Sequence, residues 1–228
     1  MYILAGLPFI APDYSSAWLL KDVQMEYLQE KFDKKGLMIL YTAPWPGQGF
    51  YTKFPVNSVS DFSGKKLRIY STATQQMGSM LGFNATILPF AEIPQAFSTG
   101  LIEALFTSPQ TGIDIQAWDN TKHFTYAGAI FSKNAVVVTK KAFNALSKGD
   151  QSNMLAAAKK AELRGWEMSA ETTKKQIDIL KKNGMSSKNA PDEVISKMKS
   201  IGLEMMKNWR SKASPEANSV LDRYLSMR

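Results

Sequence analysis

The stretch Leu67–Thr107 reads LRIYSTATQQMGSMLGFNATILPFAEIPQAFSTGLIEALFT, and its rhythm decides the fold. Leu67-Arg68-Ile69-Tyr70 is a short apolar strand, and Ser71 or Thr72 at its end can cap a helix predicted over Ala73–Leu81. Gly82 stops that helix. The pattern then repeats, with strand Thr86–Leu88, helix Ala91–Ser98 backed by Gly100, strand Ala104–Thr107 and a helix from about Gln110 to Trp118. Strands and helices alternating in such short units predict an α/β fold with a mostly parallel sheet flanked by helices.

Toward the N-terminus, apolar positions at Trp18, Val23, Tyr27 and Phe32 predict a helix over Ser15–Lys35, which Gly36 ends before a strand at Leu37–Thr42. Prolines and glycines between Ala43 and Pro55 rule out a helix there, yet the segment keeps four aromatics, as a packed lid or a binding wall would. Toward the C-terminus, strands are predicted at Phe124–Ile130 and Asn134–Thr139, the second carrying Val136-Val137-Val138 as a continuous core run. A long helix follows over Asp150–Lys182, with Leu155, Trp166, Ile177 and Leu180 on its apolar side and Asn183-Gly184 as its stop. Two more helices close the chain, one after Pro191 and one opened by Ser214-Pro215-Glu216.

At 228 residues and 44% hydrophobic content, the chain can bury one large core or two small ones. It contains no apolar run of the ~18 or more residues that would span a membrane. The absence of cysteine excludes disulfides and thiol chemistry and suits either redox compartment. A net charge of +8 is compatible with nucleic acid, an anionic membrane or small anions. The C-terminal lysines fall at helical spacing among Glu and Asp, however, which describes a solvated helix face rather than a nucleic-acid surface.

The sequence holds no nucleophile elbow, phosphate loop or zinc-protease motif, and with one histidine and no cysteine it offers neither a metal set nor a cofactor motif. His123 reads as a structural histidine at a strand start. Glu92 and Glu103, near strand and helix ends, could in principle pair as a glycosidase's two acids, although surface or helix-capping roles are far more common for such residues. For binding, Arg68 is the leading candidate. If Leu67 and Ile69 face a core, the two-residue period turns Arg68 the other way, either as a rigid two-pronged carboxylate donor or as a surface partner of Asp61 or Glu92. Thr107-Ser108-Pro109 sits at a strand-to-helix junction, where hydroxyls either receive an anion or cap the helix. Trp45, Phe50, Tyr51 and Phe90 lie in or beside similar connections and can wall such a site.

Leu7-Pro8-Phe9, Gly64-Lys65-Lys66-Leu67-Arg68-Ile69 and the run Leu88-Pro89-Phe90-Ala91-Glu92-Ile93-Pro94-Gln95-Ala96-Phe97 resemble the DctP-type solute-binding proteins of tripartite ATP-independent periplasmic (TRAP) transporters. The resemblance runs through the whole chain in order and spacing. It implies a two-lobe clamshell of the periplasmic-binding-protein type, with mixed sheets and a long lobe-spanning helix. Residues 1–44 would be the remainder of lobe 1, 45–130 mainly lobe 2 with hinge strands, and 131–228 a hinge strand, the long helix and the C-terminal helices. It also implies a periplasmic protein that delivers a small organic acid to the small and large membrane subunits. An enzyme or a sensor domain using the same cleft is the alternative.

By this resemblance Arg68 matches the arginine that salt-bridges the ligand carboxylate, Ser108 or Thr107 a ligand-contacting position, and Phe90 an aromatic lining the cleft. The expected ligand-binding set is Arg68, Trp45, Gln48, Phe50, Tyr51, Phe90, Thr107, Ser108 and Asn134. Relatives that take sialic acid carry a second arginine where this chain has Pro46-Gly47-Gln48-Gly49-Phe50, which favours a monocarboxylate with an apolar or aromatic body over a sugar acid or a symmetric diacid, although Gln48 and the hydroxyls could serve a second carboxylate. Members of the family also carry a signal peptide and a β-α-β portion before the Leu-Pro-Phe segment. Here that segment starts at Leu7, so the resemblance implies that the N-terminal portion is lacking and the first lobe is incomplete, with apolar surface exposed.

Overall fold

The computed structural model describes residues 2–228. Among these residues eight strands form two sheets. Six short strands make the larger one: β2 (Gly49–Thr52), β3 (Lys66–Ile69), β4 (Asn84–Ile87), β5 (Ala104–Thr107), β6 (His123–Tyr126) and β8 (Ser186–Asn189), in the order β4-β3-β5-β2-β6-β8. β2 is antiparallel to both of its neighbours, and every other pairing is parallel, so five carboxyl ends and the amino end of β2 share one edge. The smaller sheet pairs β1 (Leu37–Pro44) antiparallel with β7 (Lys133–Thr139).

The larger sheet is packed on both faces, and the period of two divides its residues between two cores. Phe50, Leu67, Ile69, Ala104 and Phe106 join helices α2 (Thr72–Met80), α7 (Asp192–Arg210) and α8 (Pro215–Met227) on one side. Tyr51, Leu105 and Phe124 join α3 (Ile93–Ser98) and the end of the long helix α6 (Lys148–Lys182) on the other. At 35 residues α6 is roughly 50 Å long, enough to pack against β1 at one end and β8 at the other. The remaining helices are α1 (Tyr14–Asp33), α4 (Pro109–Asp114) and α5 (Lys140–Asn144). No helix among the described residues is long and apolar enough to cross a membrane.

Ser71 and Ser214 accept backbone N–H bonds as helix N-caps, and Gly36, Gly82 and Gly184 take positive φ where helices stop. Four expectations are corrected. The aromatic segment 43–55 contains β2, a central strand that Pro46 and Gly47 precede rather than interrupt. Val136–Val138 is not a core run, because β7 has only one neighbour and Val137 is 42% exposed. The strand begun near Phe124 ends at Tyr126, where the chain turns through Gly128 at φ +60°. The helix expected over 110–118 breaks after Asp114, and Gln116 sits in the left-handed region before a 3-10 turn. A strand not foreseen at all, β8, pairs parallel to β6 through Ser186–Asn189.

Candidate carboxylate site

The carboxyl edge of the six-stranded sheet is joined to the β1/β7 sheet by the connections at 45–48 and 127–132. These two connections are stitched together, since the Trp45 N–H donates to Ser132 O at 2.8 Å and the Ala127 and Gly128 N–H groups donate to Gln48 O. Gln48 is buried here, and its side chain links the connections again. Its Oε1 accepts from the Tyr70 hydroxyl at 2.8 Å and its Nε2 donates to Ser132 Oγ at 3.1 Å.

Arg68 lies one residue inside this edge. Leu67 and Ile69 enter the first core, so Arg68 stands on the opposite face, in register with Leu105 and beside the second core, and only 5% exposed. Its Nε and Nη2 both donate to Leu88 O, at 3.1 and 2.9 Å. One carbonyl thus holds one side of the fork, and the end-on pair of N–H groups on Nη1 and Nη2 is left without a protein partner in these bonds. The surface ion pair does not form. Asp61 accepts from the Asn57 and Ser58 N–H groups, Glu92 is exposed, and no acid pairs with Arg68 among the described residues. Burial pulls the Arg68 pKa down from its ordinary value, but a guanidinium keeps its charge. Tyr70, just past the end of β3 and packed against the first core, is still close enough to act on it electrostatically, and burial pushes the Tyr70 phenol up to about 12.

The other expected residues divide into groups. Phe50 does not line a cleft: its ring is packed against Phe62, Phe83 and Phe106, with centroids 4.8–5.8 Å away. Tyr51 is likewise a core residue, its hydroxyl donating to Ser108 O at 3.1 Å, because both faces of β2 are buried. Ser108 Oγ accepts from the Thr111 N–H and so caps α4, while Thr107 is buried opposite Gly49. Trp45 and Asn134 come together with Gln110, Ser169, Thr172 and Gln176 around a cavity of about 320 Å³ between α4, α6 and the end of the small sheet. Phe90 stands beyond β4, 53% exposed. A second cavity, of about 260 Å³, adjoins the Gln48 network and is lined by Tyr70, Ser132 and Lys133, which the sequence reading had passed over. For Tyr70 the one local signal is its place directly after Arg68-Ile69 in the sequence. Nothing local marked Ser132 or Lys133.

The catalytic alternatives lose their geometry. Glu103 and His123 open β5 and β6 at the amino edge, away from Arg68, and Glu103 Oε2 accepts from the Lys66 N–H. Glu92 follows β4 at the carboxyl edge, so the acid pair is split across the sheet. Among the described residues no group of three or more His, Cys, Asp or Glu is placed to hold a metal ion.

Comparisons with known proteins agree with this arrangement. The family model for bacterial extracellular solute-binding protein, family 7 (DctP) matches residues 1–212. A solute-binding protein of Chromohalobacter salexigens is 24% identical over 181 residues, which is 75% of this chain but only about half (53%) of that relative. Two solved extracytoplasmic solute receptors of Bordetella pertussis, both described as binding pyroglutamic acid, superpose closely. DctP7 is 37% identical with a TM-score of 0.92, over 96% of this chain and 72% of its own. DctP6 is 34% identical with a TM-score of 0.94, over 98% and 74%. With the match running through nearly the whole of its length, this chain belongs to family 7 of the bacterial extracellular solute-binding proteins, the DctP family.

Proposed function

We propose that the protein is the extracytoplasmic solute-binding subunit of a TRAP transporter. In this reading it captures a small organic acid between its two sheets, without transforming it, for delivery to the small and large membrane subunits from the periplasm. The observation that carries the proposal is the Arg68 fork: a buried guanidinium, held on one side by Leu88 O and unpaired at its end-on N–H groups, is preorganised for a carboxylate. Pyroglutamate, the acid named for the Bordetella receptors, suits this site as a compact carboxylate on a small lactam ring. Residues 1–44 belong to one lobe, 45–130 mainly to the other, and 131–228 return through a hinge strand. The connections at 45–48 and 127–132 are the hinge, and closure is driven by ligand contacts on both sides of it.

The test is calorimetry with L-pyroglutamate on the wild type and on Arg68→Ala. Removing the buried fork should weaken binding by about 100-fold or more, while Arg68→Lys should rescue little because it lacks the two-pronged geometry. Unchanged affinity in Arg68→Ala removes Arg68 from the site.

A further inference from the structure

We infer that Lys133 supplies a second positive contact at this site, and that the ligand therefore carries, besides its carboxylate, a second strong acceptor oxygen, either carboxylate or carbonyl. The inference rests on the carboxylate-binding reading above and adds a requirement to it.

Lys133 opens β7 directly after the 127–132 connection and lines the 260 Å³ cavity together with Tyr70, Ser132, Thr42 and Gln24. No acidic residue lines that cavity. The one hydrogen bond of the ammonium goes to a neutral group, Gln24 Oε1, at 3.2 Å, so two of its three N–H donors are unspent. The charged groups on the elements around it are already engaged. On α1, Asp22 pairs with Lys21 at 2.6 Å; on α6, Glu162 pairs with Lys21 and accepts from the backbone and hydroxyl of Thr42. The Tyr70 phenol at the end of β3 donates to Gln48. Burial, with Lys21 nearby, brings the Lys133 pKa down to about 8.

A half-buried cation without a counter-charge costs stability, and a chain selected for stability alone would place methionine or leucine there. Ser71 and Thr72, the N-cap and first residue of α2, line the same cavity and add the positive end of a helix. The cavity thus has an unbalanced positive potential next to the network that joins Gln48 to Tyr70, two residues from Arg68.

Wild type and Lys133→Met are titrated by calorimetry with L-pyroglutamate, with glutarate, and with cyclopentanecarboxylate, which has a ring and one carboxylate but no second acceptor. Lys133→Met should weaken whichever of the first two the wild type binds by about tenfold or more and leave cyclopentanecarboxylate unchanged. The preferred probe also distinguishes a carbonyl from a second carboxylate.

Between about pH 7 and about pH 9.5 the ammonium is lost, so wild-type affinity for the preferred probe should fall while that of Lys133→Met stays level. Without ligand, Lys133→Met should melt at a higher temperature than the wild type, because an uncompensated charge has gone. An equal effect on all three probes, or no effect, overturns the Lys133 assignment and leaves Arg68 standing. Unchanged affinity in Arg68→Ala instead removes the Arg68 reading. Binding of none of the probes by the wild type overturns both. As an independent readout, saturation with the preferred probe should suppress acetylation of Lys133 by acetic anhydride, mapped by mass spectrometry. Undiminished acetylation overturns the contact.

Discussion

The two sheets of this protein are stabilised in different ways. The six-stranded sheet has short strands, four residues each, and holds together because both faces of its inner strands β2, β3, β5 and β6 are buried. The β1/β7 sheet has longer strands but only two of them, and it relies on what is bonded to it. Along β1, the Ile39 N–H donates to Gln29 Oε1 on α1, and the Thr42 N–H and hydroxyl donate to Glu162 Oε1 on α6. The Trp166 indole N–H closes the same cluster on Thr42 Oγ1 at 3.1 Å. Those side chains cover an edge that would otherwise present bare backbone groups. β7 pairs with β1 alone, and Val137 on it is exposed. A two-stranded sheet needs support from helices to persist, and here much of that support is polar and specific. The candidate carboxylate site lies where the apolar construction meets the polar one.

This contrast can be broken at three places. Phe50→Ala empties a space between Phe62, Phe83 and Phe106 in the large sheet and should cost about 3–5 kcal/mol in denaturant unfolding. Glu162→Ala leaves the Thr42 N–H and the Lys21 ammonium short of a partner. It should cost about 1–3 kcal/mol, with hydrogen exchange accelerating on β1 before it does on β3 or β5. Uniform acceleration across both sheets would show that Glu162 does not act locally. Val137→Thr, on the exposed strand, should stay within about 0.5 kcal/mol of the wild type. A cost comparable to that of Phe50→Ala would mean that the outer face of β7 is packed in solution, and the contrast between the sheets would fail.

Much of the large sheet was readable residue by residue. β5 was predicted at its observed bounds, Ala104–Thr107, and α6 from Asp150 rather than Lys148. The caps are legible, Ser214 outright and Ser71 as one of the pair Ser71 or Thr72, because capping is a contact with the next turn of the same chain. β2 was missed: a strand buried on both faces shows no alternation, and its flanking prolines and glycines outweighed four residues of pattern. β8 was missed for the opposite reason, since Ser-Ser-Lys-Asn has no apolar signal and its strand exists because β6 offers it hydrogen bonds. Val136–Val138 misled because an apolar run records what a strand can bury, not how many neighbours it has.

Parity along a single strand was enough, from the sequence alone, to separate Arg68 from Leu67 and Ile69, and the motif around it indicated the family. Both are local properties of contiguous residues. Only the tertiary structure decided that the face Arg68 occupies is buried rather than solvated, that Leu88 O takes one side of its fork, and that Gln48 joins Tyr70 to Ser132. It also decided that Lys133, 65 positions beyond Arg68 in the chain, lines a cavity with no acid to balance it. Each of these depends on elements distant in sequence being brought within hydrogen-bonding range, and on which partners the fold leaves unpaired. No periodicity within one segment encodes that.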